Sequence, residues 1–168
     1  RVYSGLSTTR GGPEDNQYKD LYERCLATDG VEYAGPVAQP KLAEALSEAA
    51  ALAYPSTYAE TSCIAAMEAM ACGLPIVTTR VNGIPDLVPH GDHPAGVLVA
   101  PGDVCAVATE VGRLLDDAAR AHAMGSRAAH HAAEHFSARA LGNSPPRAEP
   151  GLAANRRRSR RTSQTYAG

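Results

Sequence analysis

Short apolar stretches alternate along this chain with longer segments whose apolar residues recur at helical spacing. Residues 2–5 read as a strand, and a polar, glycine-rich loop follows at residues 8–16. Residues 18–27 have helical spacing, with Leu21, Tyr22, Cys25 and Leu26 on one face. Residues 31–34 form the next strand, closed by Gly35 and Pro36, and a helix over residues 40–50 opens with a proline. A buried strand at residues 51–54 ends at Pro55-Ser56. The pattern then predicts a helix over residues 61–72 stopped by Gly73, a strand over 75–79, and a turn at Asn82-Gly83-Ile84-Pro85. A last strand covers residues 96–100. Asp103 caps a helix reaching about Leu115, and a second helix runs from about Ala118 to His135. Strands alternating with helices imply parallel βαβ units, so the expected fold is α/β with a doubly wound parallel sheet. Periodicity stops at Asn143, so one domain is expected over residues 1–140, with a Pro- and Arg-rich disordered tail over 141–168.

Charge follows the same division. Residues 1–143 hold 10 Lys and Arg against 17 Asp and Glu, whereas residues 144–168 hold six Arg and one Glu. An acidic body argues against nucleic acid as the main partner. The cysteines Cys25, Cys63, Cys72 and Cys105 form no C-x-x-C pair, so zinc and thioredoxin-like redox chemistry lack support, and reduced thiols in a cytoplasmic protein are expected. No apolar run is long enough to span a bilayer, and the amino-terminal residues do not read as a signal peptide.

The chemistry concentrates between Tyr54 and Pro75. From Thr61 to Cys72 the segment is small or apolar at almost every position, and Glu68 is its one charge. A helix apolar all round is normally buried, and a carboxylate is almost never fully buried without a partner. No basic residue lies between Lys41 and Arg80. The partner is then a ligand bearing hydroxyls, a remote Arg, or an ordered water. Glu60 precedes the helix, just after the strand at residues 51–54, where ligands bind in open α/β sheets. Eight residues at about 1.5 Å rise separate the two carboxylates by about 12 Å along the axis, similar to the span from a sugar to a ribose across a diphosphate. Between them the free N–H groups at about Ser62 to Ala65 would make an anion site, and the small residues Ser62, Cys63 and Ala65 would let a phosphate approach the backbone.

Here the sequence resembles the group 1 glycosyltransferases (family 4), of the GT-B fold. Glu60 and Glu68 match that family's E-x7-E motif inside a P-S-x-x-x-E…E-A-M-A-C-G-x-P-I-V pattern. Residues 31–37 resemble its V-x-x-x-G-x-V segment, residues 82–88 its G-G-x-x-E-x-V turn, and residues 96–103 its G-x-L-V-x-P-x-D segment. The resemblance covers about residues 1–140 and implies the Rossmann-like, donor-binding C-terminal half of such an enzyme. It implies that Glu60 contacts the donor hexose and Glu68 the ribose hydroxyls. Ile64 and Ala65 would offer backbone to the diphosphate, flanked by Thr61, Ser62 and Cys63, with Val37 near the base. It further implies a UDP- or GDP-sugar donor, an acceptor of unspecified class, no cofactor, no metal, and retention of anomeric configuration. Thr61-Ser62 stands where the family usually has Phe-Gly, and Asp86 where Glu is common. The family's Arg/Lys pair for the diphosphate and its acceptor domain would lie upstream of Arg1. The chain alone is therefore expected to bind a nucleotide weakly without transferring sugar.

Other signals carry less. His131-Ala132-Ala133-Glu134-His135 matches an H-x-x-E-H metalloprotease pattern, but a polar face near a helix C-terminus explains it more simply. The run of arginines at residues 156–161 reads first as a solvated tail, and second as a contact with nucleic acid or with the anionic inner face of a membrane. Gly11-Gly12-Pro13 lacks the Lys-Ser/Thr of a phosphate loop. Two competing functions remain: a sugar-nucleotide epimerase of the same fold, and an inactive nucleotide-binding fragment.

Overall fold

A computed structural model describes residues 1–3, 19–59 and 61–137. Its elements follow the order α1 (Lys19–Leu26), α2 (Gln39–Glu48), β1 (Leu52–Tyr54), α3 (Ile64–Ala71), β2 (Ile76–Thr79), α4 (Ile84–Leu87), β3 (Gly96–Val99), α5 (Val104–Asp116) and α6 (Ala118–His135). The strands form one parallel sheet in the order β1-β2-β3, with Leu52 opposite Ile76 and Ile76 opposite Gly96. Every residue of the central strand β2 is buried, as a parallel strand covered on both faces must be.

Alternation along the strands divides the core in two. Ile76 packs with Ala66, Ala69 and Met70 of α3, Ile84 and Leu87 of α4, and Ala128 and Ala132 of α6, with Leu52, Tyr54 and Leu98 alongside. Val77 points to the opposite face, packing with Leu114 of α5 and Met124 of α6, joined by Val97, Val107 and Val111. Helices thus cover both faces, which is the doubly wound arrangement expected. The helix α6 contributes to both clusters, its first half to one and its second half to the other.

Several boundaries follow from local chemistry. Asp103 Oδ1 accepts from the Ala106 amide at 2.9 Å and Asp117 Oδ1 from the Arg120 amide at 2.9 Å, capping α5 and α6. The end of α3 is a Schellman motif: Gly73 has φ +72°, Leu74 N–H donates to Ala69 O, and Gly73 N–H donates to Met70 O. The turn expected after β2 contains Asn82 at φ +39°, a conformation asparagine tolerates, and continues into the single helical turn of α4.

Some expectations are corrected. The residues read as strands at 2–5 and 31–34 supply, among those described, an isolated parallel bridge between Val2 and Tyr33; residues 4 and 5 lie outside the described residues. The second helix begins at Gln39 and ends at Glu48, short of Ala50. The third begins at Ile64, three residues later than expected, and it is not buried all round, since Ile64 is 65% exposed and Ala71 is exposed. The glycine-rich loop at residues 8–16 and the tail beyond residue 137 lie outside the described residues.

Candidate functional site

The carboxyl ends of the strands form one edge of the sheet, and the connection from β1 to α3 crosses it. Its path is tied down by β2: Thr78 Oγ1 donates to Tyr54 O at 2.8 Å, and Thr79 Oγ1 donates to Ser56 O. Both threonines are fully buried, and these bonds satisfy hydroxyls that would otherwise be costly there. Ser56 Oγ in turn accepts from the Tyr58 amide at 3.1 Å. Glu60, the expected hexose contact, lies outside the described residues.

Beyond it, Thr61 and Ser62 are exposed. Cys63 is buried and stands at the N-cap of α3 without a side-chain cap bond. The first helical hydrogen bonds run from Ala66 N–H and Met67 N–H to Cys63 O. The amides of Ile64 and Ala65 precede them, in the first turn, where no helical carbonyl is in reach. The free first-turn amides, expected from about Ser62 to Ala65, are thus those of Ile64 and Ala65, with Ile64 exposed and Ala65 half-buried. Because residues 61–63 are not helical, the 12 Å helical span from Glu60 to Glu68 does not hold. Only the rise from Ile64 to Glu68, about 6 Å, is helical.

Glu68 is half-buried on α3, and its partner is a side chain that sequence reasoning missed. Gln39 Nε2 donates to Glu68 Oε1. Gln39 is the first residue of α2, and half-buried Val37 lies two residues before it, so the structure brings the Val37 segment and Glu68 together. Gln39, Leu42 and Leu46 recur at helical spacing, which marks one face of α2 but not its partner, and this face lines a cavity of about 180 Å³ with Glu68 of α3 and Cys72 at its C-cap. On its other side Glu68 borders a groove of about 360 Å³ between α3 and the end of α6, walled by Met67, Ala133 and Phe136. A further cavity of about 550 Å³ lies at the amino end of β1, lined by Arg1, Tyr3, Leu52 and Leu115, remote from the strand ends that carry the site.

The histidines of the H-x-x-E-H match lie on α6. The His131 and His135 rings are 4.4 Å apart, and His130 Nε2 lies 3.3 Å from Glu134 Oε1. Among the described residues, no three metal-ligating side chains converge. Burial, reinforced by neighbouring His135, pushes the His131 pKa below the ordinary histidine value, with the Leu87 carbonyl opposing. The fold therefore favours the neutral ring. Its contribution to stability is complete above the ordinary histidine range and fades as pH falls through it. Denaturant unfolding from about pH 8 to about pH 5 is expected to show the stability advantage of the parent over His131→Gln narrowing as pH falls. A gap that stayed constant or widened would contradict this.

A family model for glycosyl transferases group 1 matches residues 4–131. The chain belongs to the group 1 glycosyltransferases. D-inositol 3-phosphate glycosyltransferase 2 from Catenulispora acidiphila is 37% identical over 129 residues, covering 73% of this chain and 30% of that protein. N-acetyl-alpha-D-glucosaminyl L-malate synthase from Bacillus anthracis is 44% identical over 70 residues, covering 42% of this chain and 18% of that protein. Among solved structures, sucrose-phosphate synthase from Thermosynechococcus elongatus superposes with a TM-score of 0.72 at 25% identity, covering 96% of this chain and 38% of that one. Anabaena HepE in complex with UDP-glucose superposes with a TM-score of 0.67 at 25% identity, covering 80% of this chain and 36% of that one. The fold is that of the Rossmann-like half of a GT-B glycosyltransferase. The chain spans under a third of the length of these two glycosyltransferase and synthase relatives. Among the described residues, no helix of this group 1 member is long and apolar enough to cross a membrane.

Proposed function

We propose that this chain is the donor-binding part of a retaining, metal-independent glycosyltransferase that takes sugar from a UDP- or GDP-sugar. The observation that carries this reading is the meeting of the α2 N-terminus with Glu68 of α3. Both helices begin at the carboxyl edge of the sheet, where α/β folds bind nucleotides. In this reading Glu68 accepts from the ribose hydroxyls, Val37 lies beside the base, and Glu60 contacts the hexose. The backbone of Ile64 and Ala65, flanked by Thr61, Ser62 and Cys63, receives the diphosphate. The start of α3 carries partial positive charge, which stabilises the diphosphate as it leaves. The complex of HepE with UDP-glucose supports a nucleotide-sugar donor for a fold of this kind. The donor-binding domain occupies residues 1–140, and the Pro- and Arg-rich residues 141–168 read as a solvated tail. Among the described residues, Cys25, Cys63, Cys72 and Cys105 form no disulfide, which fits a cytoplasmic protein.

Saturation-transfer NMR of the 168-residue chain against a panel of sugar nucleotides tests the reading. Binding of at least one UDP- or GDP-sugar is expected, weakened roughly tenfold by Glu68→Ala. No sugar transfer is expected from this chain alone, because it spans only 30% of the inositol-phosphate enzyme it resembles. Absence of binding across the panel would overturn the donor assignment, and robust transfer would overturn the expectation that more of the protein is needed.

A further inference from the structure

We propose that Gln39 is a positioning residue for the donor site, holding the Glu68 carboxylate in the orientation that meets the ribose. This rests on the donor reading above and adds to it a residue outside the motif.

The two helices that carry the pair run parallel and in register. Gln39 of α2 meets Glu68 of α3, and one turn further along both helices Cys72 Sγ lies 3.9 Å from Ala43 O. The second rung fixes the height of α2 against α3, so the first rung is set by packing as well as by the hydrogen bond. Gln39 lies in the first turn of α2 and Glu68 in the second turn of α3, so the amide approaches from the carboxyl edge of the sheet.

The chemistry of the pair is unequal. An ionised carboxylate has two oxygens and accepts only, whereas a glutamine amide can donate through its nitrogen. Gln39 Nε2 engages Oε1, which leaves Oε2 as an acceptor for a hydroxyl donor. A half-buried glutamate on a helix face has several rotamers available, and selecting one on binding costs entropy. A charge-assisted bond from a residue fixed at a helix start makes that selection beforehand. The 180 Å³ cavity beneath the pair leaves the carboxylate free to turn inward between Leu42 and Cys72 if the amide is removed.

The test measures affinity for UDP and for its dideoxyribose analogue, with the GDP pair in parallel. Ligand-observed NMR is run on the 168-residue chain and on Gln39→Ala, Gln39→Glu and Glu68→Ala, with thermal melts of each. The parent is expected to prefer the ribose form roughly tenfold. Gln39→Ala is expected to reduce that preference to about twofold, leaving analogue binding and the melting temperature close to the parent's. In Gln39→Glu the preference is expected to be lost at neutral pH. If Glu68→Ala abolishes the preference while Gln39→Ala keeps it, the positioning role is overturned and the ribose contact stands. If Glu68→Ala keeps the preference, or the parent shows none, the ribose contact itself is overturned. Equal weakening of both ligands together with a lowered melting temperature in Gln39→Ala would make the pair a structural clip and overturn the proposal.

Discussion

Gly125→Ala is expected to destabilise the chain by about 3 kcal/mol or more, lowering its melting temperature by about 10 °C. Helix propensity alone gives the opposite sign, since alanine in a helix interior is about 1 kcal/mol better than glycine. Close packing reverses it. A Cβ at position 125 would lie 2.1 Å from Gly73 O and 3.1 Å from Gly73 C. These are backbone atoms, and they cannot swing aside as a side chain does. They belong to the Schellman cap of α3, where Gly73 already occupies a left-handed conformation. The methyl group must therefore push α6 away from the start of β2 or break the cap. Gly112 in α5 is the matched control. A Cβ there meets nothing within 4 Å, and Gly112→Ala is expected to stabilise by about 0.5–1 kcal/mol. Thermal and denaturant unfolding of both variants decides the matter. A Gly125→Ala chain as stable as the parent would show that the close approach of α6 is wrong.

The second large effect concerns catalysis in the complete enzyme. Glu60→Ala is expected to lower turnover about a hundredfold with little change in donor KM, because a group positioning the reacting sugar acts on the transition state. Glu68→Ala is expected to raise donor KM with a smaller change in turnover, since the ribose is remote from the bond being broken. The two carboxylates are thus distinguished by which kinetic constant moves. Steady-state kinetics on a nucleotide-sugar substrate separates them, and two variants with the parent's constants would refute both roles.

Much of the fold was legible because its signals are local. The limits of α6 could be read from Asp117 at its start and from the apolar spacing up to His135. Gly73 announced the end of α3, whereas the strand at residues 51–54, read as buried, is only half-buried at Leu52 and Tyr54 and exposed at Ala53. The start of α3 was misplaced for a physical reason. Thr61 and Ser62 are good capping residues, but both stay exposed, and the chain turns helical only after Cys63 has entered the core. Tertiary burial outweighed capping preference. That Glu68 is the singular polar position of α3 was visible. Its partner was not, because Gln39 lies 29 residues earlier on another helix, and only the packing of α2 on α3 brings them together.

The arrangement of α6 has a consequence for how the protein opens. Ala121 and Met124 lie against Val77 and Leu114, while Ala128 and Ala132 lie against Met70 and Ile76. One continuous helix is therefore anchored in both layers flanking the sheet. Fraying of α1, which buries no residue, can proceed without disturbing either layer. Detaching α6 cannot, because it uncovers both at once. The sheet and its two coats are consequently expected to open as a single cooperative unit, with the carboxyl edge of the sheet tied to the helix that joins both layers.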